Sequence, residues 1–304
     1  MSLARDATIR VAGREFAVLE RFSGRDGAAR ARDLRTGQVC CVRMRNEPMD
    51  SELAALKRAS RHSRWLPRVL CSGRVAQGHC IVTSWVPGRS DLASFLRSEG
   101  APETRAAVAQ RAQWMPGLAG TLKTLHHVAR IVHADIKPGN LVVSVDGDRL
   151  TLIDFGFAWR IERTAKRAGG AAGTAVYAAP ELWRRGTDVG PAADQFSASV
   201  VFFQLLTGEL PYEGYGGQFY EHAAPATATP LMASPHRTNR MVCRRLGEVV
   251  ARGLALDAQA RYPSSRSWEQ ALAAGARAQA DRMRWRRRLF GWWRPGLPRE
   301  RGST

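Results

Sequence analysis

The sequence predicts an α+β protein of two lobes, a small β-rich one followed by a larger helical one. Three observations lead there. At 304 residues the chain exceeds one typical domain of about 100–200 residues. Short apolar runs with period two, separated by Gly and Asp turns, fill most of the stretch up to Trp85. After a break at Pro87-Gly88 the apolar spacing becomes helical from about Asp91 onward. With 44% hydrophobic and 24% charged residues the chain can bury a sizeable core, which excludes global disorder.

The elements follow in order. Residues 1–13 read as an extension, 14–87 as the small lobe, 88–275 as the large lobe and 276–304 as a separate tail. Strands are expected within 16–44, the last of them Gln38-Val-Cys-Cys-Val-Arg-Met44, where alternation puts Val39, Cys41 and Arg43 on one face. A helix is expected over 51–60 with Leu53 and Leu56 on its apolar side, then strands near Val69–Val75 and His79–Trp85. Two long helices are expected at about 104–129 and 193–207. No internal repeat is present.

The chain carries 46 Lys+Arg against 27 Asp+Glu, a net charge of +19. Lys57, Lys123, Lys137 and Lys166 are the only lysines, leaving 42 arginines, which reads first as a compositional bias. No zinc-finger spacing, basic zipper or aromatic strand motif accompanies the charge, so no specific nucleic-acid partner is expected. Residues 277–304 hold nine of the arginines with Asp281 and Glu300, so this stretch alone carries +7. Trp285, Phe290, Trp292 and Trp293 are interleaved there, a mixture suited to an anionic membrane surface or an acidic partner, or else to a solvated terminus. Cys40, Cys41, Cys71, Cys80 and Cys243 are odd in number and lack C-x-x-C spacing, so neither a disulfide framework nor a zinc site is expected. The first residues lack the apolar segment of a signal peptide, and no run of about 18 apolar residues occurs. The expected location is cytoplasmic, with the tail adding peripheral association at the inner membrane surface.

The stretch Ile131-Val-His-Ala-Asp-Ile-Lys-Pro-Gly-Asn-Leu-Val-Val143 has an apolar entry, a polar loop and an apolar exit, which places Asp135, Lys137 and Asn140 on a tight loop. A carboxylate to take a hydroxyl proton, an ammonium for a transferring phosphate and an amide oxygen for a metal are the groups that phosphoryl transfer needs. In so arginine-rich a chain, a lysine at this position stands out. Leu152-Ile-Asp-Phe-Gly-Phe-Ala158 then delivers Asp154 into a Gly-hinged turn, where a carboxylate is a good Mg²⁺ ligand. Any one of these residues alone would read as a turn former or a solvated charge.

Together the two segments resemble the catalytic HRDLKPEN and DFG motifs of eukaryotic-type Ser/Thr protein kinases. Gly173-Thr-Ala-Val-Tyr-Ala-Ala-Pro-Glu181 is similar to that family's GTPxYxAPE segment. Asp194-Gln-Phe-Ser with Leu205-Leu-Thr-Gly-Glu-Leu-Pro-Tyr212, and Leu256-Asp-Ala-Gln-Ala-Arg-Tyr-Pro-Ser264, resemble two later family motifs in the right order. The resemblance covers about residues 14–275 and implies the bilobal kinase fold, ATP and Mg²⁺ as cofactors, and a Ser/Thr protein substrate. It implies Asp135 as catalytic base, Lys137 on the γ-phosphate, Asn140 and Asp154 on the metal, and Thr174 bracing Asp135 and Lys137. Glu181 would pair with an arginine such as Arg261, and His133 and Asp194 would tie the catalytic loop to the helix beneath it.

Three departures stand out. The family's phosphate-covering GxGxxG becomes Phe22-Ser-Gly-Arg-Asp-Gly-Ala28, in which Gly24 and Gly27 match two glycines and Phe22 replaces the first. Arg43 stands where the family has the strand lysine that holds phosphates and pairs with a helix glutamate, here Glu52, with Cys41 beside it on the same face. That exchange is not conservative, because a planar guanidinium replaces a compact ammonium. Ala134 replaces the arginine that in the family reads an activation-segment phosphate, and Thr164 is the acceptor left over in that segment. Two readings remain open, an active Ser/Thr kinase adapted to arginine and a pseudokinase serving as a nucleotide-binding or scaffold module. A small-molecule phosphotransferase would share the His-x-Asp…Asn loop but gives no reason for Thr174, Lys137 or the Ala-Pro-Glu segment.

Overall fold

The computed structural model describes residues 7–22, 27–76, 78–161, 174, 176–183, 188–212 and 234–290, with side chains as far as residue 282. A six-stranded antiparallel sheet forms the first lobe in the order β1-β2-β3-β4-β6-β5. Its strands are β1 (Thr8–Val11), β2 (Arg14–Arg21), β3 (Ala28–Asp33), β4 (Val39–Arg45), β5 (Val69–Val75) and β6 (Gly78–Ser84). Strand β1 pairs with β2 through Ile9 opposite Phe16, so the sheet begins within the stretch taken as an extension. Alternation gives the sheet an apolar face built from Val11, Phe16, Val18, Ala31, Val42 and Val82 among others, while Cys41 and Arg43 point the other way.

Helix α1 (Asp50–Ser60) buries Glu52, Ala55, Leu56 and Ala59. Of the two leucines expected on its apolar side, Leu56 is buried and Leu53 is partly covered. Short β7 (Ser90–Asp91) leads into α2 (Leu92–Glu99), where the Asp91 carboxylate caps Ser94 N at 2.8 Å. Helix α3 (Arg105–Thr124) is capped by Thr104 and ends earlier than the periodicity predicts. Leu125–Ala129 wind as a wider π turn, which Arg130 closes at φ +56°.

Strands β8 (Ile131–Val132), β9 (Leu141–Val143), β10 (Leu150–Leu152) and β11 (Trp159–Arg160) pair in two small sheets, β10-β9-β7 and β11-β8, beneath the cleft. Helix α4 (Pro191–Thr207) is apolar on all sides and almost wholly buried, and Gly208 ends it at φ +81°. The short α5 (Pro235–Thr238) and α6 (Arg244–Gly253) lead to α7 (Ser265–Phe290). Helix α7 buries Trp268, Leu272 and Gln279, and Glu269 pairs with Lys123 of α3 at 2.5 Å. The expected division at 275/276 therefore falls inside a continuous helix whose Gln279 bonds Cys243 N at 2.6 Å and Met241 O at 2.9 Å. One continuous core joins α1 and Ile81 of the first lobe to α3, α4 and α7 of the second. The architecture, a β-rich sheet followed by a helical region, is the one the sequence predicts.

Candidate active site

Helix α4 fixes the loop that follows β8. The buried Asp194 carboxylate accepts from His133 N and Ala134 N, each at 2.8 Å, and His126 Nε2 lies 2.8 Å from its Oδ2. Burial works against ionisation of Asp194, but the contacts with His126 and His133 outweigh it and hold the carboxyl below its ordinary value. His126 reaches Asp194 from the π turn, with its Nδ1 2.6 Å from Ser265 Oγ. Sequence reasoning did not find His126, because the π turn that carries it reads in the sequence as a continuation of α3. Held at both amides, the loop takes the positive φ of +61° at Ala134 and presents Asp135 next. Burial keeps the His133 ring neutral, pushing its pKa down, and the ring packs edge-on against Phe155 at 5.0 Å.

Around Asp135 three expected residues converge. Its Oδ1 accepts from Thr174 N at 3.1 Å and Thr174 Oγ1 at 3.3 Å, and its Oδ2 accepts from Asn140 Nδ2 at 2.8 Å. Lys137 Nζ lies 2.9 Å from the same Oδ2 and 2.7 Å from Thr174 Oγ1. Asn140 Nδ2 also donates to Asp135 O at 2.9 Å. With both amide hydrogens committed to acceptors, the Asn140 side chain retains Oδ1 as its acceptor, the hard oxygen a Mg²⁺ ion takes.

The second group forms where β4 faces α1. Arg43 Nη1 donates to Glu52 Oε1 at 2.7 Å and also to Asp154 Oδ1. Asp154 sits at φ +64° in the turn after β10, and its Oδ1 accepts from Gly156 N at 3.1 Å. Burial works to raise the Asp154 carboxyl, yet the Arg43 guanidinium overrides it and holds the group at about 2. Burial also opposes the charge on Arg43, and the carboxylates of Asp154 and Glu52 more than offset it. Glu52 is 5% exposed, and burial leaves its pKa raised despite Arg43.

Two cavities open between the lobes. One, of about 560 Å³, is lined by Cys41, Arg43, Glu52, Thr83, Trp85 and Asp154. The other, of about 830 Å³, shares Arg43 and Asp154 and adds Gly27, Asp135, Lys137 and Asn140. At the edge of the first, Phe22 stacks on Trp85 at 6.0 Å, and the Arg30 guanidinium covers Trp85 at 5.1 Å. Gly27 has a reason of its own to be glycine. It sits at φ +70° with its O accepting from Met44 N at 2.7 Å, and a Cβ there would come 1.9 Å from Met44 O. Gly24 and Thr164 lie outside the described residues.

The donors present fit Mg²⁺: Asp154 and the Asn140 amide supply hard oxygens facing one cavity, with room for phosphates to complete the shell. Among the described residues no group of three or more His, Cys, Asp or Glu converges as an all-protein metal site. Further from the cleft, Arg261 forms a two-pronged pair with Glu181, Nη1 to Oε1 at 2.6 Å and Nη2 to Oε2 at 2.9 Å. Arg261 also donates to the carbonyls of Ala192, Ala255 and Leu256.

The profile described as Protein kinase domain matches residues 41–270, about three quarters of the chain. The chain belongs to the protein kinase family. Among curated proteins, this kinase-family chain is 30% identical over 190 residues to the "Probable serine/threonine-protein kinase PknB" of Bifidobacterium longum, covering 61% of the chain and 26% of that protein. It is 27% identical over 288 residues to the "Serine/threonine-protein kinase PknE" of Mycobacterium tuberculosis, covering 87% of the chain and 47% of that protein. With the "Serine/threonine-protein kinase PknL" of the same species it shares 32% over 154 residues, 50% of the chain and 37% of that protein. The chain thus spans between a quarter and a half of the length of these relatives. The family match begins at Cys41, so Phe22–Ala28 precede it.

Proposed function

We propose that the chain is a protein serine/threonine kinase that transfers the γ-phosphate of Mg-ATP to Ser or Thr hydroxyls of a protein. The observation that carries this reading is the cage around Asp135, in which Thr174, Asn140 and Lys137 orient one carboxylate toward the cavity that Arg43 and Asp154 also line. Mg-ATP, when bound, supplies the phosphoryl group and charge neutralisation through Asn140 and Asp154. The chain's own residues do the rest. Asp135 accepts the proton of the attacking hydroxyl as its oxygen bonds to phosphorus and the bond to the ADP oxygen breaks. Lys137 Nζ neutralises charge on the group in transfer, and Thr174 fixes both side chains through its amide and hydroxyl.

Ala134 is buried with its N–H committed to Asp194. It offers no side chain to a phosphate, so we assign activity that does not depend on activation-segment phosphorylation. Thr164→Ala should leave phosphotransfer intact; loss of activity in that variant, reproduced by phosphatase treatment, would overturn the assignment. A second reading, a pseudokinase module, draws on the contact between Arg43 and Asp154, the proposed metal ligand. Incubation with γ-labelled ATP, Mg²⁺ and a basic protein substrate separates the two, because Asp154→Asn should lose a signal that the wild type gives.

A further inference from the structure

The contacts of Arg43 carry more than the kinase reading asks of them. A guanidinium presents five N–H donors in a rigid fork, and its favoured partner is one carboxylate gripped by two parallel bonds. Arg43 does not make that grip. Its Nη1 alone serves two carboxylates, with one bond to Glu52 Oε1 and one to Asp154 Oδ1. The cost is visible on Glu52, whose side chain is 95% covered and whose Oε2 is buried without a hydrogen-bond partner among the described residues. Asp154 therefore draws the fork away from the position in which both Glu52 oxygens would be satisfied.

Charge points the same way. Within this cluster Arg43 is the guanidinium in contact with both carboxylates, while Arg45 lines the adjoining cavity and acts on Glu52 from longer range. Both carboxylates line the 560 Å³ cavity, and Asp154 lines the adjoining one with Asn140. An ammonium can also donate to two oxygens, but a planar guanidinium fork can hold both oxygens of one carboxylate by two parallel bonds, an arrangement open to Arg43 on Glu52 besides the bridging one it makes.

We propose that Arg43 is a tethered cation that closes Asp154 to divalent metal in the nucleotide-free protein, and that it swings onto both oxygens of Glu52 when metal and nucleotide arrive together. The inference rests on the nucleotide reading of the cleft and adds the order of loading: metal enters with nucleotide, not before it. Removing the tether leaves both carboxylates without the cation that contacts them, so the empty protein should then take up the ion by itself.

The test is a Mn²⁺ titration of the full chain without nucleotide, followed by electron paramagnetic resonance of the free ion. Arg43→Met and Arg43→Gln should each bind one Mn²⁺ at least about tenfold more tightly than wild type, as expected when a unit charge within contact distance is deleted. Adding Asp154→Asn to either should abolish the gain. Arg45, which lines the same cavity without an ion pair to either carboxylate among the described residues, is the control for general charge, and Arg45→Met should raise the affinity by less than either Arg43 variant does. Circular dichroism melting verifies that each variant folds, and the glutamine variant retains a polar group for Glu52 if the methionine one does not. Equal Mn²⁺ affinity in wild type and both Arg43 variants would overturn the proposal, as would an equal gain from Arg45→Met. Phosphotransfer is scored separately: a kinase-dead wild type that still shows the Mn²⁺ pattern keeps the tether and loses the catalytic reading.

Discussion

Arg261 is 1% exposed and holds Glu181 by two bonds while donating to three carbonyls, so its charge is fully compensated in place. Removing one partner strands the other, and Arg261→Met or Glu181→Gln should each cost about 3–5 kcal/mol in urea unfolding. Wild-type stability in either variant would show the pair to be incidental. Asp154 makes a prediction in pH. Its folded pKa of about 2 lies below the ordinary value of 3.8, so its contribution is complete above about pH 4 and is lost as pH falls toward 2. Acid unfolding of Asp154→Asn should therefore be shallower than wild type across that window, and an unchanged slope would contradict the contact with Arg43. At this scale the sequence made Lys137 legible, because a lysine among arginines is informative. It could name Arg43 and Glu52 as neighbours but not the sharing of one Nη1, since the partners stand 9 and 111 residues away in the chain.

Elements place these residues. The catalytic loop hangs from α4 by the two amide bonds to Asp194, and α4 is itself anchored from the other side by His126. Asp194→Asn replaces one acceptor oxygen by a donor facing an N–H, so it should destabilise the protein by about 1.5–3 kcal/mol and slow phosphotransfer. Full activity with normal melting would mean the loop is held elsewhere. Strand β3 enters against β4 through Gly27, where Ala would need both a left-handed backbone and space that Met44 O occupies. Gly27→Ala should lower the melting temperature even without nucleotide, whereas a loss confined to ATP affinity would assign Gly27 to the phosphates alone. Strands β4, β5 and β6 and helices α1 and α4 were readable from periodicity within about two residues, whereas α2, α6 and α7 were not singled out. Strand β1 was not readable either, because four residues are too few for alternation to register, and α3 was overextended because a π turn keeps an apolar rhythm.

One core runs from α1 of the first lobe to α7 of the second, beside a separate core on the far face of the sheet. The order of the motifs revealed this architecture from the sequence, while the continuation of α7 through residue 290 stayed hidden because composition, not periodicity, changes there. For the basic, Trp-bearing residues 277–304 we propose an anionic membrane surface, ahead of an acidic partner. Truncation after Gln279, the last buried residue of α7 among the described side chains, should abolish co-sedimentation with anionic vesicles. Unchanged binding by the truncated chain would reject the assignment, and capture by an acidic protein instead of vesicles would redirect it. The charge of +19, taken without that tail, leaves a domain whose cleft balances carboxylates against Arg43 and Lys137. The most direct test of the central claim is transfer of label from γ-labelled ATP with Mg²⁺ to a protein substrate, wild type beside Asp135→Asn. The account predicts phosphorylated serine or threonine from wild type and a loss of about 10²–10⁴-fold in the variant. Equal signal from both, or none from a folded wild type that binds nucleotide, would contradict it.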